Sequence, residues 1–154
     1  MESLPLFHIS IDEKIKWAGI QVFHDGYELK RQDKVDLITK FSKNTNNQFR
    51  LRVCYSELRT GFNCSHCEKC YRTILGIILN GENPNNYGFK VDKNIYKDIF
   101  KILESGGASK GMQYFWWELM EKAKISESIY IFENKVIENI ELNRIRNGEI
   151  HNLL

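Results

Sequence analysis

The sequence predicts an α+β fold that is mostly helical, with short strands near a four-cysteine zinc knuckle and a helical C-terminal half. Apolar residues recur at helical spacing through most of the chain after residue 68. Short runs rich in β-branched and aromatic residues, which are typical of strands, occur earlier, at residues 20–23 and 49–53. All four cysteines of the chain lie between residues 54 and 70.

The chain has 154 residues, which is enough to bury a core, so we expect a single domain over 1–154. Residues 1–53 form its mixed α/β segment, 54–80 hold the knuckle and a core helix, and 90–150 form a helical region. Apolar residues make up 42% of the chain and the net charge is +2, which is ordinary for a globular protein. No apolar run approaches a membrane span, and no basic region opens a secretion signal. We therefore expect a cytoplasmic protein without a membrane partner.

The N-terminal third contains the predicted strands. Asp12 is placed to cap a short helix over 11–18, and residues 20–23 read as a strand that ends at the turn-forming pair Asp25-Gly26. Residues 32–43 carry apolar side chains at helical spacing, with Asp33 in the first turn, where the helix dipole favours a carboxylate. The run 49–53 then predicts a strand that delivers Cys54.

Four helices are predicted after the cysteines. The first, over 68–79, is apolar on more than one side and should be central to the core. The second ends at Gly106-Gly107, because glycines after a periodic stripe are what a helix C-cap requires. The third runs over about 112–123. The last begins near residue 129, although the run 129–132 could instead be a strand; one broad face carries Val136, Ile137, Ile140 and Ile145, with Glu133, Glu138, Glu141 and Arg144 outward.

The spacing of Cys54, Cys64, Cys67 and Cys70 predicts a metal site. Zn²⁺ prefers four thiolates in a tetrahedron, and a CxxC turn places two sulfurs at a suitable separation. An iron–sulfur cluster is an alternative, although the CxxxCP that usually completes its motif is missing. A redox CxxC and structural disulfides are further alternatives, disfavoured by the overlapping pairs and by a reducing cytosol. His66 could replace a ligand, but four cysteines already fill the shell.

The run from Lys34 to Arg72 resembles the C-terminal part of the 7-cyano-7-deazaguanine synthase-like branch of the PP-loop ATP pyrophosphatase superfamily. The resemblance covers roughly a third of the chain. It rests on a lysine that opens a helix, a strand ending in Cys-Tyr, and a CxxCxxC closely followed by arginine. The matching signatures are His24-Asp25-Gly26, Arg31, Lys34, Leu51 to Cys54, and Asn63 to Thr73.

This resemblance implies a structural Zn²⁺ held by the four cysteines, beside a site where the parent enzymes activate a carboxylate with ATP. It also implies nucleotide or subunit contacts at Arg31, Lys34 and Arg72. The SGGxDS phosphate loop of the superfamily does not precede the matching region, and SGGAS at 105–109 lacks the aspartate. ATP is therefore expected only with a partner domain that supplies this loop.

Several other sets of residues have both a functional and a purely structural interpretation. The basic residues before the cysteines could meet a nucleotide or nucleic acid, or form a solvated face; they are Arg31, Lys34, Lys40, Lys43, Arg50, Arg52 and Arg59. Trp116 is expected in the core and Trp117 half-exposed, since adjacent residues on a helix face different ways. His24 beside Asp25 could be an acid–base pair or a polar turn.

These observations favour a zinc-stabilised module that is not catalytic alone and completes an ATP-dependent amide- or nitrile-forming enzyme with a nucleotide-binding partner. We expect either such a protein partner or a homo-oligomer. The alternative is a zinc-knuckle module that binds nucleic acid or protein. A complete enzyme ranks third, and we predict no catalytic residue.

Overall fold

The computed structural model describes residue 14 and residues 16–21, 23, 25–55 and 62–154. The chain divides into two compact units, residues 1–30 and residues 31–154. The single domain expected over 1–154 stays a prediction.

The first unit contains a two-stranded antiparallel hairpin. Strand β1 is Lys16–Trp17 and strand β2 is Ile20–Gln21, with Trp17 opposite Ile20. The two loop residues, Ala18 and Gly19, have φ values of 46° and 81°, as in the type I′ turns that suit tight hairpins. The predicted strand at 20–23 is thus confirmed for residues 20–21. The predicted helix over 11–18 is wrong at its end, because residues 16–17 are strand and the positive φ of Ala18 excludes helix; residues 11–13 and 15 lie outside the described residues.

The second unit is helical, which confirms the mostly helical fold class. Its helices are α1 (Arg31–Thr45), α2 (Glu68–Ile78), α3 (Ile95–Glu104), α4 (Gln113–Ile125) and α5 (Lys135–Arg146). Short 3₁₀ turns at Pro84–Tyr87, Lys110–Met112 and His151–Leu153 lie between or after them.

Helix α2 is the centre of this unit. It packs against α1, α3 and α4, and every residue from Cys70 to Ile78 is buried. A helix that is apolar on more than one side buries most of its surface, which is why the sequence predicts this position correctly. Helix α5 completes the unit by packing against α3 and α4.

A carboxylate on α1 joins three helical segments. Asp36 accepts a hydrogen bond from Asn80, just past α2, at 2.9 Å and forms a 2.6 Å ion pair with Lys122 of α4. Because Lys122 is mostly buried, this contact is better shielded from solvent than an ordinary surface pair. It holds α1 in register with the two helices beneath it.

Helix α3 stops at the glycines that the sequence marks. Gly106 has φ 75°, and the Gly107 amide donates to the Ile102 carbonyl at 2.8 Å. A Cβ on Gly107 would lie 2.6 Å from that carbonyl oxygen. The SGGAS segment is therefore a helix stop, as predicted.

Two predictions about side-chain direction in α5 are wrong. Glu138 was expected to point outward but is only 1% exposed, because its carboxylate accepts hydrogen bonds from three backbone amides, those of residues 132–134. Val136, Ile137 and Ile140 were expected on the core face with Ile145, yet only Ile145 and Leu142 are buried. The buried carboxylate fixes the rotation of the helix and turns the first three outward.

The segment before Cys54 is not a strand. Residues 47–55 adopt no regular structure, although they carry β-compatible side chains. The Leu51 amide donates to the Tyr87 carbonyl at 3.0 Å. The Val53 amide and the Leu51 carbonyl form hydrogen bonds with the side chain of Asn63. In the part of the chain that the structure describes, no helix is both long enough and apolar enough to cross a membrane.

Candidate metal centre

The four cysteines converge on one point. The Sγ atoms of Cys54, Cys64, Cys67 and Cys70 all lie within 4.8 Å of one another, and none forms a disulfide. The Cys64 and Cys70 sulfurs are 3.8 Å apart. Four thiolates that share one Zn²⁺ at about 2.3 Å stand about 3.8 Å from each other in a tetrahedron. The cluster therefore has the ligands and the spacing of a metal site.

Three parts of the chain supply these ligands. Cys67 is the N-cap of α2 and Cys70 lies in its first turn, so helix formation alone brings this pair together. Cys64 comes from the loop before the helix, and its backbone amide donates to the Cys54 sulfur at 3.3 Å. Cys54 and Cys70 are buried, whereas Cys64 and Cys67 are half-buried, so the centre lies at the edge of the core.

The side chain of Asn63 forms the hydrogen bonds that a neighbouring strand would otherwise make with the segment before Cys54. Its Oδ1 accepts from the Val53 amide at 2.9 Å, and its Nδ2 donates to the carbonyls of Leu51 at 2.7 Å and Gly88 at 3.3 Å. The buried side-chain amide of Asn63 thus links the segment before Cys54 to the loop that carries Cys64. Sequence analysis missed this role; the only signal was the position of Asn63 directly beside a ligand.

A hydrogen bond from another part of the chain stabilises the turn between Cys64 and Cys67. Ser65 has φ 65°, in the left-handed region, and its Oγ accepts from the Lys90 amide at 2.9 Å. His66 is exposed, and its Nδ1 lies 2.7 Å from the Cys64 carbonyl oxygen. The imidazole is therefore engaged with backbone and does not belong to the sulfur cluster.

Burial raises the pKa of the Cys70 thiol far above its ordinary value. Burial also raises the pKa of the Cys67 thiol, although the backbone amide of Cys70 acts in the opposite direction. Only thiolates bind metal, so binding at this centre must release protons. A cation bound at this centre would supply the opposite charge that these buried sulfurs require.

A buried charge network adjoins the centre at the start of α2. Glu68 accepts from the Trp116 indole at 3.0 Å, and its Oε1 lies 2.6 Å from Arg72 Nε. Arg72 is only 4% exposed, its guanidinium lies over the Phe115 ring, and its Nη1 has no hydrogen-bond partner among the described residues. The prediction that Trp116 belongs to the core is confirmed.

Two of the three residues proposed for nucleotide contact meet in this network. Arg31 donates to Thr73 at 3.2 Å, and burial together with the positive charge of Arg72 lowers the Arg31 pKa. The cavity that they line has a volume of only about 10 Å³, room for no nucleotide. Lys34 lies one turn further along α1 with an exposed side chain. Nucleotide contact at these positions stays a prediction.

An aromatic and basic surface, which we call the knuckle rim, borders the sulfur cluster. Tyr55 is 90% exposed and the Lys69 ammonium lies 4.7 Å from its ring centre. Phe62 is 45% exposed and has the Arg50 guanidinium at 4.8 Å and the Lys90 ammonium at 6.0 Å. Sequence analysis noted the arginine but missed the aromatic partners.

Of the remaining predicted groups, Arg52 contacts the backbone of a cluster residue, and the others contact other parts of the chain or lie outside the described residues. Lys43 pairs with Glu82 at 3.4 Å, and Arg52 donates to the carbonyls of Cys54 and Phe62. Trp117 is 44% exposed, as expected. His24 and Arg59 lie outside the described residues.

Comparison of the chain with protein-family models, with curated proteins and with solved structures finds no match.

Proposed function

We propose that the four cysteines bind a single Zn²⁺ ion whose role is structural. The observation that carries this proposal is the convergence of four sulfurs within 4.8 Å, since one ion requires separations of about 3.8 Å. A four-iron cluster places each thiolate on a different iron, which separates the sulfurs further. A shell of four thiolates leaves no open position for water or substrate, so the ion holds the fold and performs no chemistry.

Elemental analysis of the purified full chain tests this proposal. We expect one zinc per chain, without iron or acid-labile sulfide. Cys67→Ala should lose the metal and unfold or aggregate at a lower temperature, because three thiolates bind the ion more weakly. His66→Ala is the matched control and should keep both zinc and melting temperature. Zinc retention with an unchanged melting curve in Cys67→Ala would refute the proposal.

We further propose that the chain is the zinc-stabilised module of a deazaguanine-synthase-like PP-loop protein. In this proposal it completes an ATP-dependent amide- or nitrile-forming enzyme by association with a nucleotide-binding partner. The support is the motif resemblance, together with the contact of Arg31 on α1 with Thr73 on α2, the helix that also carries Arg72 and two of the four cysteines. ATP would be bound chiefly by the partner, since the cavity beside the two arginines is too small for it.

The test is an ATP assay with three samples: the chain, an SGGxDS-containing partner, and their mixture. Only the mixture should form AMP and pyrophosphate, with Lys34→Ala reducing the yield and Lys124→Ala, on α4, leaving it unchanged. AMP formation by the chain alone would show a complete enzyme. Absence of both association and AMP formation in the mixture would reject the proposal, whatever the metal content.

The knuckle rim favours a second function, binding of single-stranded nucleic acid. Exposed aromatic rings with cations beside them are the elements that such surfaces use, because bases stack on the rings and phosphates attract the cations. Tyr55 and Phe62 provide the rings, and Arg50, Lys69 and Lys90 provide the charge.

Salt-dependent binding of a labelled single-stranded RNA distinguishes this function from the first. Lys69→Gln should reduce the slope of log affinity against log salt by about one. Tyr55→Ala should weaken binding at every salt concentration through the lost stacking. Lys124→Gln serves as the control and should behave as the wild type. Binding without salt dependence, or no binding by the zinc-loaded chain, would exclude the second function.

A further inference from the structure

A polar cavity lies between the loop that carries Cys64 and the N-terminal half of α3. This cavity, which we call the α3 cavity, has a volume of about 650 Å³, within the range of small-molecule sites. Residues 64–66 form one wall, Tyr71 of α2 forms another, and residues 89–92 with Ile95 and Asp98 form the side toward α3. Parts of the chain that are distant in sequence therefore meet around one space.

Side-chain hydrogen bonds fix the walls of the α3 cavity. The Ser65 hydroxyl accepts from the Lys90 amide at 2.9 Å. The Asn85 side chain donates to the Val91 carbonyl and accepts from the Val91 amide, each at 2.9 Å. Because these bonds already hold the segment 89–92, a ligand would lose little binding free energy in ordering it.

Two polar side chains of the α3 cavity have no protein partner among the described residues. Tyr71 is only 6% exposed, yet its hydroxyl forms no hydrogen bond there, whereas buried hydroxyls usually have a partner. Asp98 is exposed, and its carboxylate forms neither an ion pair nor a hydrogen bond there. Both residues line the cavity. A ligand group that bonds both would gain two hydrogen bonds, one of them to a full negative charge.

The other polar side chains of the cavity add further hydrogen-bond acceptors. The Nδ1 atom of His66 lies 2.7 Å from the Cys64 carbonyl oxygen, which can only accept, so Nδ1 carries the hydrogen and Nε2 of the neutral ring is an acceptor. Asp92 accepts from the Asn94 amide through one carboxylate oxygen and keeps the other. The cavity therefore suits a ligand that donates hydrogen bonds.

The charges of the cavity favour a cation. With His66 neutral, the carboxylates of Asp92 and Asp98 face one ammonium group, that of Lys90, since the lysines at 93, 97 and 101 do not line the cavity. Among the described residues, the four cysteines are the group that could hold a metal ion, and the carboxylates and imidazole of this cavity form no such group. An organic cation matches both observations.

We propose that the α3 cavity binds a small organic cation with N–H donors, an alkylammonium or a guanidinium compound. The charged head donates to the Tyr71 hydroxyl and the Asp98 carboxylate, and the apolar frame lies against Val91 and Ile95, which also line the cavity. This site rests on neither the ATP-dependent function nor nucleic-acid binding.

Isothermal titration calorimetry of the zinc-loaded full chain tests the head group at about pH 8, where histidine is ordinarily neutral. Four probes share a pentyl chain: pentylammonium, pentylguanidinium, pentyltrimethylammonium and hexanoate. We expect saturable one-to-one binding of one or both N–H cations, and binding of the other two probes weaker by about tenfold or more. The stronger of the two N–H cations identifies the preferred head. Equal binding of pentyltrimethylammonium, or no binding of either N–H cation, would overturn the proposal.

Substitutions locate the binding in the α3 cavity. Tyr71→Phe keeps the ring and Asp98→Asn keeps the shape of the side chain, and each should weaken binding of the preferred probe by about tenfold, because each removes a bond to the charged head. Lys90→Gln removes the like charge and should strengthen binding.

Glu104→Gln is the matched control, since Glu104 is an exposed carboxylate in the last turn of α3 that does not line the cavity. It should bind as the wild type. Zinc content and the helical spectrum are measured for every variant, and if Tyr71→Phe loses either, Asp98→Asn at its exposed position decides alone. Wild-type affinity in Asp98→Asn, or an equal loss in Glu104→Gln, would overturn the proposal.

Discussion

Replacement of Asn63 tests the hydrogen bonds that support the metal centre while all four cysteines are kept. Asn63 is only 9% exposed and makes three hydrogen bonds, to Val53, Leu51 and Gly88. Asn63→Ala removes all three and leaves backbone groups near the core without partners. At about 0.5–1.5 kcal/mol for each bond, with an added penalty for unpaired buried groups, we expect a loss of about 2–4 kcal/mol in the free energy of unfolding.

The same substitution should weaken zinc binding. Cys54 directly follows Val53 and Cys64 directly follows Asn63, so the lost bonds release two of the four ligands from their orientation. Groups that orient metal ligands are typically worth about 10–100-fold in affinity. Competition with a chromophoric chelator measures the zinc affinity, and urea unfolding in excess zinc measures the free energy of unfolding.

Asn63→Asp is the decisive variant because it keeps the shape of the side chain. A carboxylate can still accept from the Val53 amide, but it cannot donate to the carbonyls of Leu51 and Gly88 and would face them with like partial charge. We expect it to be at least as unstable as Asn63→Ala. Asn139→Ala, in the half-buried face of α5, is the control and should change stability by only a few tenths of a kcal/mol. Wild-type stability and zinc affinity in Asn63→Asp would refute the reasoning.

Three further substitutions test the core and the turns. Tyr96 carries a buried hydroxyl without a hydrogen-bond partner among the described residues, so we expect urea unfolding of Tyr96→Phe to show a free energy of unfolding that is unchanged or higher by up to about 1 kcal/mol. Burial, with a smaller contribution from Glu138, raises the pKa of Tyr96. The folded state therefore keeps the hydroxyl proton at a pH where the unfolded state has lost it. The free energy of unfolding should fall as pH rises beyond about 10, the ordinary pKa of tyrosine, and should fall less steeply in Tyr96→Phe. Glu138→Ala leaves three backbone donors without their acceptor and should lower the free energy of unfolding by about 3 kcal/mol, with a smaller loss for Glu138→Gln; equal stability of the two variants would contradict this. Gly88→Ala places a side chain at φ 88°, with its Cβ 2.7 Å from Arg50 Cγ, and should lower the melting temperature through a loss of about 1–2 kcal/mol.

Local spacing explains which parts of this protein the sequence predicts well. The cysteine cluster could be foreseen because three of its ligands lie within residues 64–70, where a turn and the start of a helix determine their separation. Helix α2 could be placed in the core because its residues are apolar on more than one side. The stop of α3 follows from two adjacent glycines. Each of these inferences uses residues that are neighbours in sequence.

Long-range contacts explain the errors. The segment 49–53 has the composition of a strand, but the partner for its backbone is the side chain of Asn63 and the carbonyl of Tyr87, which no periodicity reveals. Glu138 looks like a surface residue in a helical pattern, and only the loop that precedes α5 makes it buried. Once it is turned inward, Val136 and Ile140 must turn outward. One misjudged carboxylate therefore reverses the predicted orientation of the first turns of α5, whereas Ile145 is buried as expected.

The position of the metal centre determines how far its loss should spread. Cys67 and Cys70 lie at the N-terminal end of α2, where the helix dipole stabilises negative charge, so thiolates on a cation suit this end of the helix. The first turn also holds Glu68, which connects through Trp116 to α4 and through Arg72 to the aromatic ring beside it. Removal of the ion frees the loop and the segment before Cys54 and also leaves buried sulfurs beside this network. Because α2 is shared by the centre and the core, the disturbance should reach the packing of α1 and α4 and not remain in the loop. Near-ultraviolet circular dichroism of the tryptophans, recorded during chelation, should therefore change together with zinc release, whereas an unchanged tryptophan signal in the metal-free chain would show that the core stands without the ion.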